Sequence, residues 1–146
     1  MSIPSYNVSN IFLAESRFSR TSSVSDLNQS KKHFTIDIEP INLDENIFNI
    51  ALNVTFFSTS ASSEEHEVDF FIKMIGLFEK IGDHSEIPND YFVNVNAPAI
   101  IFPFVREHVS SITAKAGIDA VLLPPFNFVD NYQKSLQNDQ EGRKVD

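Results

Sequence analysis

The chain has 146 residues, a formal net charge of −9 at pH 7, fourteen Phe, and no Cys or Trp. This length predicts one domain with a real core, while 42% hydrophobic residues exclude disorder over most of it. The absence of cysteine excludes disulfides, thiolate metal sites and cysteine nucleophiles. Residues 33–90 carry twelve acidic and two basic side chains, which argues against nucleic acid as a partner. Two alternatives remain for this charge: a solvated surface or an acidic face that docks a basic partner.

The first two-thirds of the chain alternates apolar and polar residues with the period of β-strands. The predicted strands cover residues 6–20, 34–39, 47–56 and 67–74. Pro40 is expected to break the second strand's pairing and to shift its phase to Ile41 and Leu43. Polar loops at 21–32 and 58–65 join the strands, so we predict an antiparallel meander.

The next segment predicts a long helix with an unusual proline. We expect a loop over 83–96, Asn96 as the N-cap and Pro98 in the helix's first turn, where a missing N–H costs nothing. Pro103 lies further in and should kink the helix. The helix is predicted to end near residue 116, with Gly117 as its left-handed C-cap.

The remainder predicts an extended segment at 120–128 with the rigid pair Pro124-Pro125, then a second helix at about 128–138. Residues 139–146 are polar, and we expect a disordered tail there. The predicted fold is therefore α+β: a four-stranded antiparallel meander sheet with two C-terminal helices on one side, as a single domain over residues 1–138.

Catalytic and metal-binding patterns are missing from the sequence. The four histidines have no metal-ligand spacing, and His108 beside Glu107 is most simply structural. Four glycines form no phosphate-binding loop. We therefore predict no catalytic residues, no metal, no cofactor and no enzymatic activity. A basic segment followed by an apolar run is absent at the N-terminus, as is an apolar run of about 20 residues, so we expect a cytoplasmic protein without membrane insertion.

Apolar side chains appear on both faces of the predicted strands. Examples are the pairs Phe56-Phe57 and Phe70-Phe71. Two helices cannot cover both faces of such a sheet, and large apolar patches are typical of interfaces. Two interpretations stay open: a plain oligomer interface, or grooves that bind extended apolar polypeptide through large aromatic contacts.

The order of residues in the predicted helices resembles the signature of the SecB family of protein-export chaperones. The similarity lies in Ala97-Pro98, then Phe102-Pro103-Phe104-x-Arg106-Glu107, Ser110-Ser111, and finally Leu123-x-Pro125-x-Asn127-Phe128. The family usually has Tyr at the position of Phe104. A Phe-Pro pair inside a helix followed by Arg-Glu is rare by chance, so this motif of about 35 residues is quite specific.

The resemblance implies a fold, an assembly and an activity. The fold would be a four-stranded antiparallel sheet with two helices, assembled as a dimer of dimers. Phe102, Pro103 and Phe104 would then pack between subunits. The family binds unfolded or precursor polypeptides in hydrophobic grooves, passes them to the motor ATPase SecA, and uses no cofactor.

The resemblance also assigns groove residues. The family lines its groove with alternating aliphatic residues of the second strand, which correspond to Ile36 and Ile38, with Phe34 one step earlier. An aromatic residue of the last helix closes that groove, and it corresponds to Tyr132, with Phe128 nearby.

The SecA contact is matched only in part. Glu15 corresponds to one of the family's acidic contacts, but Ser19 and Phe71 stand where other acidic residues are usual, and Ser30 replaces a common Trp. Three functions therefore stay open. They are a general export chaperone, a SecB-like chaperone dedicated to one client such as an antitoxin, and an oligomeric interaction protein that docks a partner on an acidic face.

Overall fold

The computed structural model describes residues 6–82 and 87–143, and within them four strands form one antiparallel sheet. The strands are β1 (Tyr6–Arg20), β2 (Lys31–Leu43), β3 (Ile47–Thr59) and β4 (His66–Lys80). The helices are α1 (Asn89–Tyr91), α2 (Ala97–Lys115) and α3 (Phe128–Arg143), with a π-helical segment (Phe92–Asn96) between α1 and α2. The predicted α+β class, with antiparallel strands followed by helices, is confirmed.

The strand order is β1-β4-β3-β2, so the prediction of a simple four-stranded meander is wrong for β1. Strands β2, β3 and β4 do form a meander, but β1 pairs with β4 at the opposite edge from β2. Three strand spacings separate the edges, about 14 Å. The loop of residues 21–30, here called the crossover loop, is long enough to carry the chain that far.

The core lies on one face of the sheet, here called the covered face. Even-numbered residues of β3, and of β4 from Val68 onward, point to it, and most of their side chains are buried. Helix α2 packs on this face and comes close at Gly76, where an added Cβ would lie 2.8 Å from Ile101 Cδ1. Gly76 therefore allows the close contact between helix and sheet. The opposite face is called the outer face.

The start of the long helix was predicted wrongly. Asn96 has helical angles (φ −71°, ψ −48°) and makes no side-chain capping bond, so it lies inside a helical segment that begins at Asn89. The Ala97 N–H bonds to the Phe92 carbonyl five residues back, as in a π-turn. Pro98 follows at once. Its ring would crowd the carbonyl four residues back in a regular α-helix, and the wider turn relieves this.

The predicted end of α2 is confirmed. Gly117 has φ +70°, and its N–H bonds to the Ala114 carbonyl while Ile118 N–H bonds to the Thr113 carbonyl. These two bonds form a Schellman motif, which needs a residue with positive φ.

Helix α3 begins at Phe128, where Asn127 Oδ1 accepts the Asp130 N–H at 3.0 Å. It ends at Arg143 instead of near residue 138. The predicted tail therefore begins inside this helix, and residues 144–146 lie outside the described residues, as do residues 83–86 of the predicted loop. Among the helices described, none has both the length and the apolar character that crossing a membrane takes.

Candidate functional site

An open cavity of about 420 Å³ lies beside the start of β2. The crossover loop forms one wall, and the segment after α2 forms the other. Its lining residues are Leu27, Asn28, Lys32, Phe34, Asp119, Ala120, Val121, Leu122 and Pro124. We call this cavity, together with the apolar residues of β2 that continue from it, the β2 groove.

The floor of the β2 groove is continuous with the core. Phe34, Ile36 and Ile38 point to the covered face, are half-buried, and pack against the buried cluster. The Phe34 ring lies 4.9 Å from Phe56, which stacks at 4.8 Å on Phe70 of β4. This aromatic row carries apolar contact from the buried centre of the sheet to its β2 edge, where the same face becomes accessible.

The crossover-loop wall is anchored by one buried side chain and one polar turn. Leu27 is 7% exposed and belongs to the core. Asp26 Oδ1 accepts the Asn28 N–H at 3.0 Å, while the Asp26 carbonyl accepts the Ser30 N–H at 3.1 Å. An Asp that bonds the backbone two residues on is a stable turn. The wall is therefore a shaped element of the fold.

The opposite wall is held by a buried hydroxyl. Thr113 of α2 donates to the Val109 carbonyl at 2.8 Å and accepts the Val121 N–H at 3.2 Å. Val121 and Leu123 are buried, whereas Leu122 between them is 79% exposed. An extended segment alternates its side chains in this way. The exposed leucine at the cavity's edge is the most accessible large apolar residue of the described chain.

The aromatic residues predicted on α3 have different positions. Phe128 is buried, with its ring 5.8 Å from Phe102. Tyr132 is half-buried, packs against Tyr91 at 5.9 Å, and donates its hydroxyl to Asp90. This hydrogen bond to Asp90 is the largest cause of the raised pKa of Tyr132. All five predicted groove residues belong to the core or pack against it. Of these five, Phe34 lines the open cavity, Phe128 is buried beside Phe102, and Tyr132 ties α3 to Asp90.

The three residues predicted to pack between subunits differ in exposure. Phe102 is 6% exposed and packs within its own chain. Pro103 and Phe104 point outward, and Phe104 is 49% exposed. Ile100, one turn before Phe104 on α2, is 38% exposed. Ile100, Pro103 and Phe104 form what we call the α2 patch.

Charged side chains on the outer face form salt bridges with each other. Glu15 Oε1 lies 2.9 Å from Arg17 Nε, and the Arg17 guanidinium lies over the Phe71 ring at 4.8 Å. Glu39 Oε1 lies 3.0 Å from Lys73 Nζ and accepts a bond from Asn53 Nδ2 at 2.8 Å. The hydrogen bond from Asn53, followed by that from Lys73, lowers the pKa of the Glu39 carboxyl.

Sequence reasoning missed both walls of the groove. Leu27 and Val24 are the aliphatic residues of an otherwise polar loop, which is a weak signal of an anchored loop. Leu122 precedes a buried leucine and two prolines, and nothing local shows which of Leu122 and Leu123 faces solvent. Both positions depend on contacts with residues far away in the sequence.

The fold and the lining of the cavity define a class of protein. Across residues 6–82 and 87–143, no group of three or more His, Asp or Glu could hold a metal ion. What the fold offers is an open cavity at the β2 edge of an antiparallel sheet, with half-buried apolar residues of β2 beside it. The chain is therefore an α+β protein whose sheet edge carries an accessible, partly apolar binding surface.

Comparison with known families gives the same class and narrows it. The sequence model described as "Preprotein translocase subunit SecB" matches residues 2–139, so this chain belongs to the SecB family. Family membership and the relatives' names support the function of a protein-export chaperone, and chaperones of this family are not enzymes.

Curated relatives and a solved structure agree with this family. The protein-export protein SecB of Rickettsia typhi is 30% identical over 124 residues, covering 84% of this chain and 80% of the relative. SecB of Hydrogenovibrio crunogenus is 28% identical over 109 residues, covering 75% and 71%. The SecB-like chaperone of Mycobacterium tuberculosis, solved with a peptide from an antitoxin, superposes with a TM-score of 0.66 at 12% identity, covering 84% and 91%. At that identity the structure supports the fold alone.

Proposed function

We propose that this chain is an ATP-independent holdase of the cytoplasm that binds unfolded or precursor polypeptides in the β2 groove for protein export. One observation carries the proposal: the half-buried row of β2 extends the core to an open cavity whose edge bears the 79% exposed Leu122. Apolar burial contributes about 25 cal/mol per Å². An extended segment with apolar side chains at alternate positions therefore fits this surface and needs no nucleotide for binding.

Two charge substitutions in the groove test the proposal. Ile36→Asp and Leu122→Asp should each abolish suppression of aggregation of a chemically unfolded protein, measured by light scattering. Ile81→Asp is the matched control, since Ile81 is 42% exposed at the opposite end of the sheet. Full protection by both groove variants would contradict the assignment. Tyr132→Asp is a poorer probe because its new carboxylate would lie beside Asp90.

We further propose that the α2 patch packs between subunits in a dimer of dimers. Ile100 and Phe104 are large apolar residues on the exposed side of a helix whose other side is already used by the core. Phe104→Asp should halve the mass measured by light scattering after size exclusion. Val129→Asp, at a similarly exposed apolar residue of α3, is the control. An unchanged mass for Phe104→Asp would contradict this packing.

The contact with SecA is the point on which two roles differ. In the general export role, Glu15 and other acidic side chains of the sheet would bind SecA. However, Glu15 is paired with Arg17, and Arg17 also covers Phe71. This observation favours a second candidate, a SecB-like chaperone dedicated to a specific client. Measured affinity for the host's SecA decides between them: salt-sensitive binding that Glu15→Gln weakens supports the general role, and absence of binding supports the dedicated one.

A further inference from the structure

The two walls of the β2 groove are tied to the same end of the sheet. Glu67, near the start of β4, accepts two bonds from Ser25 of the crossover loop: the N–H at 2.7 Å and the Oγ–H at 2.6 Å. Arg20, the last residue of β1, donates from Nη1 to the Ala116 carbonyl at 2.6 Å, where the opposite wall leaves α2. In addition to Leu27 and Thr113, a charged side chain of the sheet therefore ties each wall to this end of the sheet.

These two anchors are neighbours. Arg20 pairs with Val68 in the β1–β4 ladder, next to Glu67, and the Thr21 N–H bonds to the Glu67 carbonyl at 2.9 Å. Arg20 and Val68 are directly paired, so their backbones stay about 5 Å apart, and Glu67 is the adjacent residue of β4. The ladder therefore fixes the backbone spacing of Arg20 and Glu67, and with it the two points at which the loops are tied to the sheet.

The loops face each other across a second, smaller space. A cavity of about 220 Å³ is lined by both anchored segments, including Ser25, Leu27, Gly117 and Asp119. Leu27 and Asp119 also line the larger cavity of the β2 groove. Leu27 and Asp119 therefore connect the anchored segments with the groove.

The anchoring contacts are more specific than ordinary surface bonds. The Glu67 carboxylate uses both oxygens on one residue, and these bonds from Ser25 lower the pKa of Glu67. The Arg20 guanidinium also donates to the carbonyls of Thr21 and Ser22, at 2.9 Å and 3.2 Å. A planar group with several fixed donors sets geometry as well as energy. Arg20 therefore fixes the beginning of the crossover loop together with the end of α2.

We propose that Glu67 and Arg20 are positioning residues that set the separation of the two groove walls, and thereby the size of client side chain that the groove accepts. This inference rests on the proposed polypeptide-binding function. Neither side chain lines the larger cavity, so neither is expected to contact the client there. They act through Leu27 on one wall and Asp119 on the other.

The test compares two fluorescent peptides on the full chain: one with leucine at alternate positions, and the same peptide with tryptophan there. In Glu67→Ala and in Arg20→Gln, the ratio of the two Kd values should change by about fivefold in favour of tryptophan, the scale of effects transmitted through packed contacts. Glu64→Ala, at an exposed glutamate of the β3–β4 turn, is the control for Glu67→Ala because it makes the same charge change. Hydrogen exchange should also show that the Ser25 N–H loses protection in Glu67→Ala only.

The possible outcomes distinguish a failure of the proposed polypeptide-binding function from a failure of the positioning role of Glu67 and Arg20. If the unsubstituted chain binds neither peptide, the proposed function is wrong and this inference falls with it. If it binds both and the variants weaken both equally, Glu67 and Arg20 only stabilise the loops, and the inference alone is overturned. An unchanged Kd ratio, or a Ser25 N–H that keeps its protection without Glu67, overturns it as well.

Discussion

The two faces of the sheet are built from the same strands but follow different rules. On the covered face, Ile50, Leu52 and Ile72 are completely buried beneath the helix layer. On the outer face, the neighbouring positions hold paired charges, such as Glu39 with Lys73, and rings stacked on histidine, such as Phe57 on His66 at 4.0 Å. The covered face accepts only side chains that fit beneath the helices, whereas the side chains of the outer face are paired with each other at the surface.

This difference predicts how each face responds to substitution. A larger side chain on the covered face forces its neighbours to move, because protein interiors are packed to crystal density. A change on the outer face removes exposed pairs, which contribute little to stability. The two proposed contacts divide in the same way: the β2 groove lies at the edge of the covered face, whereas Glu15, proposed for the contact with SecA, lies on the outer face.

The largest expected effect is at Gly76, under α2. A Cβ at this position would lie 2.6 Å from the Phe78 ring and 2.8 Å from Ile101. Gly76→Val should therefore lower the free energy of unfolding by about 3 kcal/mol, measured by denaturant titration. Ile75→Val, at the adjacent outer-face residue, is the control and should cost less than about 1 kcal/mol. Equal losses from the two variants would contradict the contrast between the faces.

The next effect is at Thr113, the buried hydroxyl that links α2 to the groove wall. Thr113→Val keeps the shape but leaves the Val121 N–H without its acceptor. An unsatisfied buried donor costs about 2 kcal/mol, and the same denaturant titration measures it. Ser110→Ala, one turn earlier on α2, should change stability far less. A neutral Thr113→Val would show that Val121 finds another acceptor and that this wall is less rigid than its hydrogen bonds suggest.

The sequence predicted what alternation and local turn chemistry determine. The period of two predicted the strands β3 and β4, in which the structure buries Ile50, Leu52 and Ile72. The φ requirement of a helix end identified Gly117. Strand order was not predictable in this way, because the period of β1 carries no information about whether its neighbour is β2 or β4. The prediction of Asn96 as an N-cap was wrong because an asparagine two residues before a proline is typical of a helix start. The π-turn that replaces the cap depends on how the segment packs.

For the candidate site, too, the residues of β2 were predictable from the sequence and the two walls were not. The resemblance and the strand period together indicated Phe34, Ile36 and Ile38, which the structure places on the covered face at the sheet edge. The walls were missed because they depend on side chains distant in sequence: Ser25 meets Glu67 across 42 positions. No periodicity records such a contact.

A smaller effect is expected on the outer face, at Glu39. Its pKa is lowered from the ordinary 4.5 by Asn53 and Lys73, so the ionised form is favoured in the folded protein. The stability it contributes is present above pH 4.5 and is lost as the pH falls through the lower folded value. The difference in unfolding free energy between the natural chain and Glu39→Gln should therefore shrink in acid. Asp37→Asn changes the same charge two residues away, and an equal shrinkage there would contradict the assignment.

The smallest expected effect is at His108 of α2, which lies at the boundary between this helix and the edge strand β1. Its Nε2 is hydrogen-bonded to Ser16 Oγ at 2.8 Å. Burial, the largest cause, lowers the pKa of His108 below its ordinary 6.5, and Lys115 lowers it further while Glu107 opposes. The unfolded chain then takes up a proton at higher pH than the folded chain, so stability falls as the pH drops through 6.5.

His108→Gln should remove that slope from the pH dependence of unfolding, measured between neutral and mildly acidic pH, and Glu107→Gln should steepen it. His108 lies one turn after Phe104 on α2, so packing of the α2 patch against another subunit would bury the imidazole further. The slope should therefore be steeper in the natural chain than in Phe104→Ser, which removes the apolar contact without placing a carboxylate one turn from His108. A slope that is the same in both would mean that His108 is buried by its own chain alone, and it would count against the subunit packing proposed for this helix.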